Sequence, residues 1–209
     1  INNATATRRQ LTIKGNVTVD AGAFITVGTG NTITGSDAPL TVADGGTAPF
    51  LNYYNNETHK VIIQGDFTNN GTVRFTNQTA PKYDAFTSTG AATVYFQGST
   101  ENLLTCNGQT DFYNLVVDKG TDQTFKLKIY SNAYANFRLF GANIARSANS
   151  TTANPDLKKA LWVRNGTLTL QGLTVIPSLS EGTTTSGTNT SHYFIPANGA
   201  IVLDGSGVI

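Results

Sequence analysis

The chain has few charged residues, and their charges nearly cancel. Charged residues make up 13% of its 209 residues, and the formal net charge is +1. A surface that attracts nucleic acid or an anionic membrane needs a marked excess of basic charge, which this sequence lacks. The hydrophobic fraction of 39% is ample for a core. A chain that stays disordered because it is too polar to collapse is therefore excluded.

Cysteine and long apolar runs are also scarce. Cys106 is the single cysteine, so an internal disulfide is impossible. It lies in a strand-like stretch without a nearby histidine or basic residue that would lower its pKa, and we expect a buried, unreactive thiol. No stretch approaches the roughly 18 apolar residues that a membrane-spanning helix needs. We therefore expect no transmembrane segment.

Threonine, asparagine and glycine are abundant instead. The branched Cβ of threonine suits a strand, whereas asparagine and glycine accept the positive φ of tight turns. Helical patterning is almost absent: the best candidate, residues 130–148, fits the helical period poorly and is interrupted by Gly141. The composition predicts an all-β fold of many short strands joined by tight corners.

A short motif recurs along the chain: a corner residue, a glycine, a small residue, and then two apolar residues separated by one. Its copies are residues 70–75, 165–170 and 198–203, with a close variant at 21–27. In addition, Phe75, Phe96, Val117 and Leu139 end successive strand patterns at intervals of 21 or 22 residues. Such a step suits a coil of two or three short strands. We predict that these four residues lie on stacked parallel strands that face one interior.

The dipeptide Asn70-Gly71 leaves two folds open. Between alternating strands, Asn-Gly is the strongest short signal for a β-hairpin, which would lead to an antiparallel β-sandwich. As a corner, it would lead to a parallel β-helix, a solenoid with loop insertions. A sandwich gives no reason for the motif to recur at near-constant spacing, so we predict the solenoid and keep the sandwich as the alternative. Residues 1–209 would be a single segment, with insertions near residues 50–59, 145–159 and 178–192.

The stretch from Ala92 to Gly120 carries a family pattern. Its residues are Val94, Phe96, Gly98, Leu104, Gly108, Phe112, Tyr113, Asn114, Leu115 and Val117. The pattern resembles the β-helical repeat regions of large secreted surface proteins and adhesins of the Bacteroidota. Asn102 stands where those repeats usually have glutamine, and Cys106-Asn107 is not typical of them. The resemblance implies a right-handed parallel β-helix, export to the cell surface, commonly by the type IX pathway, and an adhesive or stalk role.

Acidic residues lie singly along the chain. Glycosidases need two carboxylates about 5–9 Å apart, and lyases of this shape need clustered carboxylates for Ca²⁺. Stacking of coils could still bring distant acids together, and the two pairs at a suitable spacing are Asp44 with Asp66 and Glu101 with Asp122. We interpret these acids as solvated outward positions and predict no catalytic residue.

Histidine gives no metal signature. His59 and His192 both lie in loop-like insertions, far apart in the sequence. A zinc site needs three or four ligands at short, regular spacing. We therefore predict neither a metal site nor a cofactor.

Five tyrosines lie in or beside the insertions, close to asparagines. They are Tyr53, Tyr54, Tyr130, Tyr134 and Tyr193. Aromatic rings with amides beside them can stack on sugar faces and bind hydroxyl groups, so these are candidate glycan contacts. They can equally pack an insertion onto the wall with the hydroxyl in solvent. Trp162 is expected to be partly buried in the wall.

These observations predict a non-catalytic segment of an exported, extracellular cell-surface protein, acting as a rigid stalk or adhesive passenger. The alternative is a carbohydrate-active β-helix module that binds or, less readily, cleaves polysaccharide. Expected partners are neighbouring domains of the same long chain, surface glycans, or secretion and outer-membrane components, but not nucleic acid. Because neither end carries a charged or helical cap, we also expect protein to follow Ile209 and precede Ile1, and the segment alone to self-associate.

Overall fold

The computed structural model describes residues 10–27, 33–35, 59–76, 86–88, 92–140, 160–176 and 193–209, with the backbone alone for 33–35, 86–88 and 193–194. In these ranges the chain forms strands, turns and bends. Among the residues so described, no helix has the length and hydrophobicity that crossing a membrane requires.

Seventeen short strands make up the described part of the chain. They are β1 (Gln10–Ile13), β2 (Val17–Val19), β3 (Phe24–Thr26), β4 (Ile33–Gly35), β5 (His59–Ile63), β6 (Phe67–Asn69), β7 (Thr72–Arg74), β8 (Phe86–Ser88), β9 (Ala92–Gly98), β10 (Asn102–Cys106), β11 (Thr110–Phe112), β12 (Asn114–Lys119), β13 (Lys126–Ser131), β14 (Phe137–Leu139), β15 (Leu161–Gly172), β16 (Tyr193–Phe194) and β17 (Gly199–Asp204). All described pairings are parallel except that of β4 with β8.

Successive strands pass through three sheets in turn. Sheet 1 contains β1, β5, β9, β12, the first part of β15, and β16. Sheet 2 contains β2, β6, β10, β13, the second part of β15, and β17. Sheet 3 contains β3, β7, β11 and β14. Because β15 continues around the corner between sheets 1 and 2, these two sheets form one sheet of 11 strands.

Each passage through the sheets is one coil, and every coil pairs with the coils before and after it. The described residues contribute to six coils, which begin at β1, β5, β9, β12, β15 and β16. We number them coils 1 to 6. The predicted parallel β-helix is confirmed, and the antiparallel sandwich is not formed.

Asn70-Gly71 is a corner between sheets 2 and 3. β6 before it pairs with β2 and β10, and β7 after it pairs with β3 and β11, all in parallel. The amide of Gly71 donates to Asn69 Oδ1 at 2.9 Å. Glycine is needed here because a Cβ on Gly71 would lie 2.4 Å from the carbonyl oxygen of Ala23 in coil 1.

One hydrophobic core fills the interior of the coils. Side chains alternate between the two faces of each strand, so every second residue points inward. The inward column of sheet 1 contains Ile13, Ile63, Phe96, Val117 and Val163, and that of sheet 2 contains Val17, Phe67, Leu104, Ile129 and Leu170. In sheet 3, the Phe112 ring lies between those of Phe75 and Phe137, with centroid distances of 5.6 and 5.9 Å.

The four residues whose spacing predicted the coil length all face this core, but they do not form a single column. Phe96 and Val117 are direct partners in sheet 1, whereas Leu139 lies opposite Phe112 in sheet 3 and Phe75 stacks on that same ring. Successive coils differ in length, because the inward partners Ile63, Phe96, Val117 and Val163 of sheet 1 lie 33, 21 and 46 residues apart. Equal spacing along the chain therefore does not keep a residue in one sheet.

The recurrent glycine motif marks two different corners. Gly71 lies between sheets 2 and 3, but Gly166 and Gly199 are register partners at the corner between sheets 1 and 2. The predicted insertions at 145–159 and 178–192 lie outside the described residues. The one near 50–59 does as well, except for His59, which begins β5.

Candidate functional site

Tyr130 and Tyr134 lie at the same corner of coil 4, between sheets 2 and 3. Tyr130 points outward from β13 and is 41% exposed, and Tyr134, in the turn that follows, is 43% exposed. Tyr53 and Tyr54 lie outside the described residues. Tyr193 begins β16 in sheet 1, where only the backbone is described. Two of the five candidate tyrosines therefore share one exposed surface.

Asparagine amides form a hydrogen-bonded row at the same corner. Asn136 Nδ2 donates to the carbonyl oxygen of Asn107 at 2.9 Å and to Asn132 Oδ1 at 2.8 Å. Asn107 Nδ2 in turn donates to Asn70 Oδ1 at 2.9 Å, which links coils 2, 3 and 4. We call the surface formed by Tyr130, Asn132, Tyr134, Asn107 and Asn136 the tyrosine corner surface.

The Tyr130 ring is packed on one side and open on the other. A Cβ on Gly172, in coil 5, would lie 2.9 Å from the ring, so the absence of that atom leaves room for the tyrosine. Because the ring is held against the wall, its outer surface is presented in a fixed orientation. Such an arrangement suits the stacking of a sugar ring, and the neighbouring amides suit its hydroxyl groups.

The outer face of sheet 3 carries a row of charged residues in successive coils, the Arg74–Asp111–Arg138 ladder. Asp111 lies between the two arginines in register and is buried. The prediction that the acids are solvated is therefore wrong for Asp111, because its two arginine partners cover it. It accepts from Arg74 Nε at 2.8 Å, and from Arg138 Nε and Nη2 at 2.7 and 2.9 Å. Gln109 Nε2 completes its partners at 2.7 Å. Charge-assisted bonds of this kind are among the strongest that side chains form.

A second ladder lies at the outer corner of sheets 1 and 2. Asp118 accepts from Gln97 Nε2 at 3.0 Å and from Asn165 Nδ2 at 2.6 Å. Arg164 lies 3.9 Å from the same carboxylate. This row joins coils 3, 4 and 5, as the Arg74–Asp111–Arg138 ladder joins coils 2, 3 and 4. Both rows supplement the backbone bonds between coils with side-chain bonds.

Three of the four acids that stacking might have paired lie in the described residues, and each of these three has a partner of another kind. Asp66 Oδ1 accepts the backbone N–H of Leu103 at 2.9 Å. Glu101 pairs with Lys128 at 2.7 Å. Asp122 accepts the hydroxyl and the backbone amide of Thr124, and these bonds lower its pKa. Asp44 lies outside the described residues, so its solvated position stays a prediction.

His59 differs from the sequence-based expectation of a solvated loop residue. It is the first residue of β5 and is buried, at 1% exposure. The stretch before it reads as a polar loop, but the strand Lys60–Ile63 extends one residue further toward that loop. His192 lies outside the described residues. Among the residues that the structure describes, no group of three or more His, Cys, Asp or Glu could hold a metal ion.

Cys106 is placed as expected, whereas Trp162 is more buried than the partly buried position that the sequence predicted. Cys106 points into the core, and burial raises the pKa of its thiol to about 12. A thiol in that state is a poor nucleophile near neutral pH. Trp162 is 8% exposed on the outer side of sheet 1.

Trp162 belongs to a second apolar cluster that lies outside the core. Ile62, Tyr95, Val116 and Trp162 are register partners on the outer face of sheet 1, and all are buried. Sequence reasoning missed this cluster, although a signal was present. The strands read as three consecutive apolar residues (VII, VYF, LVV and LWV), which is typical of strands that are covered on both faces.

Comparison of the chain with protein-family models, with curated proteins and with solved structures found no match.

Proposed function

We propose that this chain is a non-catalytic segment of an exported cell-surface protein, and that it acts as a rigid stalk or adhesive passenger. The observation that carries the proposal is the stacking of hydrogen-bonded coils reinforced by side-chain ladders. The Arg74–Asp111–Arg138 ladder and the row through Asp118 together span coils 2 to 5. None of coils 2 to 5 can leave its neighbours without breaking both backbone and charge-assisted bonds.

The extracellular location is supported by the resemblance to Bacteroidota surface repeats. The export route, commonly type IX secretion for such proteins, rests on the same kinship. Partners would be neighbouring domains of the same chain, together with surface glycans or outer-membrane components. The side-chain ladders are a physical reason to place the segment in a load-bearing role, because they give stiffness without disulfides or metal.

A carbohydrate-binding role is the second candidate, and the tyrosine corner surface favours it. Two exposed aromatic rings and several amide groups lie together there, and one ring is fixed against the neighbouring coil. If this surface binds glycans, the segment is an adhesive module rather than only a spacer. A passenger domain carried on a stalk would bind glycans through the same aromatic rings and amides.

A glycan array with purified protein separates the two roles. If the tyrosine corner surface binds a glycan, Tyr130→Ala and Tyr134→Ala should each weaken that binding about tenfold, or about 1.4 kcal/mol, because each removes a stacking ring. The matched control is Thr18→Ala, which alters an exposed threonine in the same outward row of sheet 2. It should leave binding unchanged.

The same glycans, assayed for new reducing ends or unsaturated products, test the non-catalytic part of the proposal. We expect no cleavage. Turnover that is lost on replacing Asp66 or Asp44 would contradict it. Binding that is insensitive to both tyrosine substitutions would remove the carbohydrate role from this surface.

A further inference from the structure

A buried lysine lies inside the corner between sheets 1 and 2. Lys119 ends β12 and follows Val117 at the next inward position, so its side chain is fully buried. Its Nζ donates to the carbonyl oxygen of Gln97 at 2.9 Å and to Asn102 Oδ1. The backbone of coil 5 covers it: a Cβ on Gly166 would lie 2.7 Å from Lys119 Cβ.

Asn102 is buried as well, and the two ends of its amide group have different partners. Its Oδ1 accepts from Lys119 in coil 4, and its Nδ2 donates to Asp66 Oδ1 in coil 2 at 3.4 Å. Asp66 is held in place by the backbone N–H of Leu103 at 2.9 Å. An amine, a primary amide and a carboxylate thus follow one another across three coils.

The surroundings favour the reactive form of the amine. Burial lowers the pKa of Lys119 to about 8, and the negative charge of Asp66 opposes this shift only in part. A desolvated lysine with a lowered pKa is an effective nucleophile. Because its nitrogen is hydrogen-bonded to Oδ1, it lies next to the carbon atom bonded to that oxygen. Holding two groups in this way replaces a bimolecular encounter with an intramolecular one.

We propose that Lys119 and Asn102 form an intramolecular isopeptide bond. The neutral Nζ attacks Asn102 Cγ, and a carbon–nitrogen bond forms while the Cγ–Nδ2 bond breaks. A proton from the amine passes through the Asp66 carboxylate to Nδ2, which leaves as ammonia. The step needs no oxidant, reductant or co-reactant. It ties coil 3 to coil 4 covalently, and it does not depend on the proposed role as a stalk or adhesin.

The first test is the intact mass of the folded native protein, kept above the Lys119 pKa of about 8 so that the amine is neutral. We expect a mass about 17 Da below that of the sequence, the mass of one ammonia. Mass alone does not suffice, because cyclisation of an Asn-Gly sequence such as Asn107-Gly108 also releases ammonia. Peptide mapping decides between the two.

Trypsin gives a clear signature because lysine in an isopeptide bond is not a cleavage site. Cleavage after Lys82 and Lys126, but not after Lys119, should yield one peptide of residues 83–126 with the mass deficit. Chymotrypsin, which cuts at Phe112 between the two linked residues, should leave the two fragments joined. Full sequence mass, or a deficit with normal cleavage after Lys119, would overturn the proposal.

Variants assign the roles of the three groups. Asn102→Ala removes the reacting carbon, so the deficit should disappear. Asp66→Asn removes the proton carrier and should slow bond formation by about 10² or more. Lys126→Arg, at an exposed lysine nearby, is the control and should keep the deficit. If a variant fails to fold, the mass and the peptide map of the native protein still decide the question.

Discussion

Replacing Phe112 by alanine should lower the free energy of unfolding by about 3–5 kcal/mol. The Phe112 ring is buried at 1% exposure, between Phe75 in coil 2 and Phe137 in coil 4. The substitution leaves a cavity at the centre of the stack and removes two aromatic contacts, each worth about 0.5–1.5 kcal/mol beyond area burial. Urea titration followed by circular dichroism measures the loss.

Phe24→Ala is the matched control for this prediction. Phe24 is also in sheet 3, in β3, but its side chain is 73% exposed. Its removal should change stability by about 0.5 kcal/mol at most. If Phe24→Ala and Phe112→Ala lowered the free energy of unfolding equally, the stack of aromatic rings around Phe112 would not be a main source of stability.

The second large effect is expected at Asp111. Asp111→Ala should cost about 2 kcal/mol or more, because the bonds of charged groups contribute about 1.5–3 kcal/mol. The change leaves the arginines of coils 2 and 4 without the carboxylate that lies between them. The arginine side chains are 28% and 38% exposed, so water recovers part of the loss. For this reason we expect less than the cost of a fully buried broken pair.

Glu101→Ala provides the comparison, since Glu101 also pairs with a basic residue of the next coil. The Lys128–Glu101 pair is solvent-exposed, with side-chain exposures of 35% and 50%, and such pairs contribute about 0–1 kcal/mol. Thermal unfolding of both variants at one salt concentration compares them directly. If Glu101→Ala were as destabilising as Asp111→Ala, burial of the carboxylate would not be the cause.

The sequence predicted the class of fold because its signals were local. Corner glycines and alternating apolar residues report on one coil at a time, and both were read from neighbouring positions. Which residues of successive coils are register partners could not be predicted in this way. Phe96 and Val117 are register partners in sheet 1. Phe75 and Leu139 instead lie next to Phe112 of sheet 3, because successive coils differ in length.

The charged and buried polar contacts required the register between coils. Arg74, Asp111 and Arg138 each stand at the outward position of a short strand, with alternating sign of charge in successive coils. Aligning the strands VRF, TDF and FRL would have revealed the ladder, but nothing within one coil does. Lys119 reads as a surface lysine, although strict alternation from the inward Val117 places it inside.

Functional residues were harder to predict than the fold. The tyrosines were chosen because they lie near asparagine-rich stretches, and two of the five share the tyrosine corner surface. His59 was expected in solvent and is buried. The Lys119–Asn102–Asp66 arrangement joins residues of three coils. The sequence pattern of any one coil therefore does not predict it.

We propose that the stacked coils make this segment a stiff, load-bearing element. Single-molecule force spectroscopy tests it most directly, with the chain inserted between reference domains of known mechanical strength and pulled through its ends. We expect the segment to stay folded until after the reference domains have unfolded, and Asp111→Ala to lower its unfolding force. A segment that unfolds before the reference domains, with a force insensitive to Asp111, would contradict it.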